Sequence, residues 1–148
     1  MGHPFDQVGG GIAYVPSGYG FPAPTWMDGV DEEGPAWVVD GEPFPSVPVD
    51  PVVRTDATGV DALAEGDGTS TSAVEAASAE RLDRATIPVE GIDGPIALVS
   101  GGVDRVWPAA ELAMGAVDRL DAHDYAWPHE HLTSPDAGHA IRVPYAPP

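Results

Sequence analysis

The sequence of 148 residues has no cysteine and no lysine. Without cysteine the chain can hold no disulfide framework, no thiolate metal site and no cysteine nucleophile of its own. It also has no apolar run of about 18 residues, so we expect no transmembrane helix. The N-terminus lacks the basic start and apolar middle of a signal peptide. We therefore expect a cytoplasmic protein with no membrane partner.

Charge of one sign dominates the composition. Acidic residues outnumber basic ones by 24 to 6, and the formal net charge is −18. A nucleic-acid backbone would repel such a chain, so we expect no nucleic-acid partner. The acids are scattered among apolar segments, which favours a folded protein over a disordered acidic tail. A salt-rich cytoplasm would screen the self-repulsion, and the lysine-free composition is similar to that of haloarchaeal proteins.

Apolar runs bounded by glycine and proline predict one α/β domain over residues 1–148. We predict buried strands at 11–15 and 94–100, a third strand at 129–134, and helices at 70–85 and 108–122. Ser72 and Glu75 form a capping-box signal for the first helix. From residue 94 onward the order is strand, loop, helix, strand, loop, which indicates a βαβ unit with parallel strands.

The segment 16–70 is rich in proline and tryptophan. Eight of the 17 prolines fall between Pro16 and Pro51. The segment is too long for an ordinary connection, so we expect an irregular loop or lid-like insertion. A short extended piece or hairpin fits "PAWVVDGEPFP" within it. A disordered linker is the alternative, against which the interleaved aromatics argue.

Asp104 and His139 are the candidate catalytic residues. Each follows a predicted strand of the βαβ unit, and the carboxyl ends of parallel strands are where ligands bind in such sheets. In α/β-hydrolases the chain order is nucleophile, acid, histidine, with the acid and histidine on loops after strands. An exposed loop aspartate and an unrelated loop histidine are the alternative.

Four motifs surround the two candidate residues: Val99-Ser100-Gly101, the acidic loop from Gly101 through Asp104 to Trp107-Pro108, the turn Pro135-Asp136-Ala137-Gly138-His139, and Pro144-Tyr145. In these motifs the sequence resembles the C-terminal domain of acyl-CoA thioester hydrolases and bile-acid-CoA:amino-acid N-acyltransferases, a family with a dienelactone-hydrolase-like α/β-hydrolase fold. The resemblance implies Asp104 as the triad acid and His139 as the general base. It implies an acyl-CoA substrate and a parallel sheet with flanking helices.

The sequence departs from that family in one important respect. It contains no Gly-x-Ser-x-Gly motif, so we expect the serine or cysteine nucleophile to lie upstream of Met1 and the chain to be a fragment. Ser17 and Ser100 are poor substitutes, because Pro16 fixes the backbone before Ser17 and both serines fit structural roles better. We accordingly expect a partial α/β-hydrolase fold that is inactive alone.

His129 and His131 alternate on a predicted strand and so point to one face. Two ligands without a third make a weak metal signal, so we expect no metal and no cofactor. Asp136 is too close to His139 in the chain to be the triad acid, and we expect its side chain to hold the turn.

Two alternative functions fit the same sequence. The first alternative is a different α/β-hydrolase, which acts on an ester, a lactone or a peptide. The second is a non-enzymatic fragment or subunit, which self-associates or completes a hydrolase with a separate N-terminal half.

Overall fold

The computed structural model describes residues 9–23, 34–48, 69–104 and 108–141. The strands are β1 (Gly11–Tyr14), β2 (Val38–Val39), β3 (Glu42–Pro43), β4 (Ile96–Gly101) and β5 (His129–Ser134). The helices are α1 (Thr69–Ala76), α2 (Ala79–Ala85) and α3 (Ala109–Ala122), and a 3-10 turn spans Val89–Gly91. The predicted mixture of helices and strands is therefore confirmed in this part of the chain.

A parallel sheet of three strands organises the described residues, in the order β1-β4-β5. Ile96 of β4 aligns with Gly11 of β1 on one side and with His129 of β5 on the other. Helix α3 connects β4 to β5, and these two strands run parallel, as the βαβ pattern predicted. Both β4 and β5 therefore end at the same edge of the sheet, which is the edge where the loops bearing Asp104 and His139 begin.

The hydrophobic core lies between α3 and one face of the sheet. Alternate residues of β4 face the helix, and Leu120 of α3 is completely buried against them. The buried residues of this cluster are Ile96, Leu98, Ala113, Ala116 and Leu120. The small alanines bring α3 close to the sheet, which fixes the position of the loops on either side of the helix.

The opposite face of the sheet carries exposed apolar side chains. Ile12 aligns with Ala97, and Leu132 aligns with Val99, so all four lie on the face that does not pack on α3. Ile12 is 66% exposed and Leu132 is 51% exposed. A soluble protein normally covers a contiguous apolar surface of this kind, but Ile12 and Leu132 remain mostly exposed on it.

The single helix predicted over residues 70–85 is wrong, because two helices occupy this region. The backbone leaves the helical conformation at Ser78, which has φ −67° and ψ 152°. The Ser78 hydroxyl accepts a hydrogen bond from the Arg81 amide at 3.3 Å and so caps α2. Ser72 lies inside α1, which begins at Thr69, so the predicted capping box at Ser72 is also wrong.

The described part of the Pro/Trp-rich segment contains the hairpin that the sequence suggested. Strands β2 and β3 pair antiparallel, and both turn residues, Asp40 and Gly41, have positive φ values of 53° and 84°. Two positive φ values are the geometry of a type I′ turn. Beyond the hairpin, the amide of Val47 donates to the Gly20 carbonyl at 2.8 Å, and Val47 is completely buried. Residues near Val47 therefore pack on the loop that follows β1.

Much of the predicted insertion falls outside the described residues, including Trp26. Trp37 is described and is 66% exposed. Within the described ranges, no helix combines the length and the hydropathy that crossing a bilayer requires.

Candidate active site

Asp104 lies three residues after β4, on the loop that connects this strand to α3. Its side chain is only 1% exposed. An ionised carboxylate in such a position needs a hydrogen-bond donor, because desolvation without compensation is costly.

The imidazole of His139 contacts this carboxylate. Strand β5 ends at Ser134, and a turn leads from there to His139. The Nδ1 atom of His139 lies 3.0 Å from Oδ2 of Asp104, and the His139 side chain is 30% exposed. An ionised carboxylate can only accept hydrogen bonds, so Nδ1 of His139 carries the proton in this contact. The two predicted site residues, 35 positions apart, are thus brought together.

Backbone hydrogen bonds join the two loops that carry these side chains. The Gly102 amide donates to the Ser134 carbonyl at 2.8 Å, and the Val103 amide donates to the Ala137 carbonyl at 3.1 Å. These bonds continue the β4–β5 pairing past the ends of both strands. The acid and the histidine therefore sit on one connected piece of backbone rather than on two independent loops.

Chemically, a buried carboxylate that accepts from Nδ1 of a partly exposed histidine fixes the tautomer of the ring and directs Nε2 away from the carboxylate. It also stabilises the imidazolium that forms when the ring takes up a proton. The arrangement is able to act as a general base toward a group placed near Nε2.

Ser17 is held by local hydrogen bonds. Its hydroxyl donates to the Tyr19 carbonyl at 2.8 Å and accepts from the Tyr19 amide at 3.1 Å. In the Gly-x-Ser-x-Gly elbow of a hydrolase, a glycine stands two positions before the nucleophilic serine. The chain has Val15 there, with φ 45°, a conformation that is rare for a β-branched residue. The hydroxyl of Ser17 thus makes these hydrogen bonds within its own turn.

Ser100 takes part in a polar cluster that sequence reasoning missed. Its hydroxyl is completely buried and lies 2.7 Å from Nε2 of His131 and 3.4 Å from Oγ1 of Thr133. Strand register produces this cluster, because Ser100 aligns with Thr133 and is diagonal to His131. The alternating histidines of "HEHLTS" were visible in the sequence, but the partner of His131 on β4 was not.

His129 and His131 do not converge on one point. His129 Nδ1 donates to the Trp127 carbonyl at 3.1 Å, while His129 Nε2 lies 3.0 Å from Oδ1 of Asp121. These two contacts, first the Trp127 carbonyl and then Asp121, raise the pKa of His129 above its usual value of 6.5. His131 instead contacts Ser100. Across the described ranges, no three His, Cys, Asp or Glu side chains come close enough to share a metal ion.

An ion pair anchors the C-terminal end of α3. Nε and Nη2 of Arg119 each donate to one carboxylate oxygen of Glu90 in the 3-10 turn, at 2.5 Å. The hydrogen bond from Arg119 lowers the pKa of Glu90 below its usual value of 4.5. The Tyr125 hydroxyl, three residues beyond the same C-terminal end of α3, can donate to the Ile92 or Gly94 carbonyl at 2.7 or 2.6 Å. These contacts link residues about 30 apart, so no local pattern in the sequence predicts them.

Three of the motif residues behind the resemblance, Trp107, Pro144 and Tyr145, lie outside the described residues. Asp136 is described and is exposed in the turn before His139. Its predicted side-chain role in holding the turn stays a prediction.

Comparison with known proteins finds a family and a relative. Residues 41–148 match the model of a family described as "BAAT / Acyl-CoA thioester hydrolase C terminal". The peroxisomal succinyl-coenzyme A thioesterase of Mus musculus is 41% identical over 61 residues, which are 41% of this chain and 14% of that protein. The similar segment thus spans only a small part of the relative's length.

Proposed function

The chain belongs to the BAAT / acyl-CoA thioester hydrolase C-terminal family, and from that membership we propose that Asp104 and His139 are the acid and base of an acyl-CoA thioester hydrolase. One observation carries the proposal. A carboxylate that is only 1% exposed lies 3.0 Å from Nδ1 of a histidine, and the two follow the ends of neighbouring parallel strands. This is the position and the contact that a hydrolytic triad needs from its last two members.

In the proposed reaction a serine or cysteine nucleophile attacks the carbonyl carbon of a thioester. Nε2 of His139 takes the proton of the nucleophile, and Asp104 stabilises the imidazolium. The C–S bond then breaks, the thiol leaves with the proton from His139, and an acyl-enzyme remains. Water attacks this ester or thioester with His139 again as base, which releases the carboxylic acid and restores the nucleophile. No metal or cofactor is required.

We place the nucleophile outside this chain. The sequence lacks Gly-x-Ser-x-Gly, Ser17 is held in a local turn, and Ser100 is completely buried against His131. The proposed arrangement is a partial α/β-hydrolase domain of haloarchaeal type, which is inactive alone. Residues 94–148 would form its acid- and histidine-bearing βαβ unit. The exposed apolar face around Ile12 and Leu132 supports this arrangement, because a further part of a hydrolase sheet or its helices would cover it.

The insertion at residues 16–70 is proposed to contribute to the acyl pocket, on the grounds of its aromatic content and its position in the chain. Its described part includes Trp37, which is 66% exposed and so is accessible to an apolar ligand. Replacing Trp37 by alanine should change the preference for acyl chain length in an active domain. An unchanged preference would rule out this role for Trp37.

The experiment that tests the function is reconstitution. The coding region upstream of Met1 is translated in all frames and searched for Gly-x-Ser-x-Gly, and the segment that contains it is produced together with this chain. We call the product the assembled domain. Thiol release from succinyl-CoA and palmitoyl-CoA is then measured for this chain alone, for the upstream segment alone and for the assembled domain.

We expect thioester hydrolysis from the assembled domain and none from this chain alone. Hydrolysis by the chain alone that is lost in His139→Ala would contradict the proposed location of the nucleophile. A panel that adds a nitrophenyl ester, a lactone and a peptide separates a thioesterase from another hydrolase of this fold. An assembled domain that forms without any turnover would favour the non-enzymatic alternative.

A further inference from the structure

Two consecutive glycines, Gly101 and Gly102, stand where the acid loop leaves β4. The turn Pro135–Gly138, which leads to His139, packs directly against them. The hydrogen bonds from Gly102 to Ser134 and from Val103 to Ala137 fasten this contact on both sides. Main chain therefore meets main chain, with no side chain between the two loops.

The space at both glycines is too small for a side chain. A Cβ atom added to Gly101 would lie 2.5 Å from the Gly138 carbonyl oxygen and closer still to that of Ala137. A Cβ atom added to Gly102 would lie 2.6 Å from the Pro135 carbonyl oxygen. Real Cβ atoms essentially never lie within 3.0 Å of a heavy atom outside their own and the adjoining residues. Neither glycine has φ in the left-handed region, so the requirement for glycine is steric rather than conformational.

The contact has a direct effect on the candidate site. Asp104 is two residues after Gly102, and His139 is the residue after Gly138. A displacement of the turn by a fraction of an ångström would therefore change the 3.0 Å separation between Nδ1 and Oδ2. We propose that Gly101 and Gly102 are positioning residues, which seat the histidine turn on the acid loop so that Asp104 holds His139 in its Nδ1–H tautomer. The catalytic value of this positioning rests on the proposed function, whereas the positioning itself does not.

The test measures the tautomer of His139 by nitrogen-15 NMR of the imidazole ring in this chain as it stands, at a pH where the ring is neutral. The variant is Gly101→Ala. The matched control is Gly138→Ala, because a Cβ atom at Gly138 meets nothing within 4 Å and the control places the same methyl group beside the same histidine. The amide spectrum of each variant establishes whether the fold is retained.

We expect the Nδ1–H tautomer to dominate in the unmodified chain and in Gly138→Ala. In Gly101→Ala the population ratio of the Nδ1–H to the Nε2–H tautomer should fall by about tenfold or more. A fall of this size corresponds to the loss of a hydrogen bond to a charged group. A folded Gly101→Ala chain with an unchanged ratio overturns the proposal. An equal fall in Gly138→Ala also overturns it, because the effect would then not depend on the contact with Gly101.

Two further measurements cover a Gly101→Ala chain that does not fold. Gly102→Ala tests the same contact through Pro135 and should shift the tautomer ratio in the same direction. In the unmodified chain, hydrogen exchange of the Val103 amide should be slower than that of an unprotected peptide, since this amide donates to Ala137. Exchange at the unprotected rate overturns the proposal. None of these readouts uses enzymatic turnover, so they stand or fall separately from the proposed function.

Discussion

Removing the charge of Asp104 while keeping its shape isolates the electrostatic role of the buried carboxylate. Asp104→Asn retains an oxygen and the approximate volume of the side chain, but the residue no longer carries a negative charge beside His139. In the proposed mechanism His139 becomes an imidazolium in the transition state. Two opposite charges about 4 Å apart attract by roughly 4 kcal/mol at an effective dielectric constant of 20. Because each 1.4 kcal/mol is a factor of ten, the loss corresponds to about a thousandfold in kcat.

A wrong tautomer adds to this loss, since an asparagine amide can donate to Nδ1 and place the proton on Nε2. We therefore expect kcat of the assembled domain to fall by about 10³ to 10⁴ in Asp104→Asn, with a smaller change in KM. The assay is steady-state thiol release from an acyl-CoA. Asp136→Asn is the matched control, because Asp136 is exposed, stands three residues before His139 and can be replaced in a turn by asparagine, whose side chain accepts the same backbone hydrogen bond. We expect this control to change kcat by less than about twofold. A folded Asp104→Asn domain that retains more than about a tenth of its activity would refute the assignment of Asp104.

Three further predictions concern stability and titration. Arg119→Met should lower the free energy of unfolding at neutral pH by about 1 kcal/mol or less after solvent screening. The difference in unfolding free energy between the two forms should vanish in acid. The lowered pKa of Glu90 stabilises the fold above pH 4.5, and this contribution is lost as pH falls through the pKa of the folded state. Thermal unfolding of both forms from neutral to acid pH measures this difference. Asp121→Asn should lower the pKa of His129 in an NMR titration, because the Trp127 carbonyl and Asp121 together raise this pKa in the unmodified chain. The stabilisation that protonated His129 gives to the fold is present below pH 6.5 and is lost as pH rises through the pKa of the folded state. The net charge of −18 predicts that the midpoint of thermal unfolding rises with salt, because salt screens the self-repulsion. A midpoint that is the same at low and high salt would contradict the halophilic interpretation. A stable monomer at low salt would contradict the fragment interpretation.

The elements that the sequence predicted best are those with strong local signals. Strand β4 and helix α3 follow from an apolar run and an apolar face, each bounded by glycine or proline. The third strand was predicted over "HEHLTS", and β5 covers these six residues. Asp104 and His139 were identified because chain order places them after successive strands, and parallel pairing then brings them to one edge.

The remaining features depend on contacts between distant residues. The helix break at Ser78 was missed because most of the surrounding residues favour helix, although a serine N-cap with an acidic residue in the first turn, here Glu80, is an N-terminal signal. The contact of Ser100 with His131 depends on strand register, which the sequence leaves open. Gly101 and Gly102 were visible as glycines, but which backbone approaches them depends on how the histidine turn folds back.

The role of His139 as the base is tested by thioester hydrolysis in the assembled domain carrying His139→Ala, compared with the domain carrying His123→Ala. Both changes remove an imidazole, but His123 stands at the C-terminal end of α3, where it lies 4.0 Å from Glu90 and not beside Asp104. We expect kcat to fall by about 10⁴ or more in His139→Ala and by less than about twofold in His123→Ala. Similar activity in the two variants would contradict the assignment of His139 as the base.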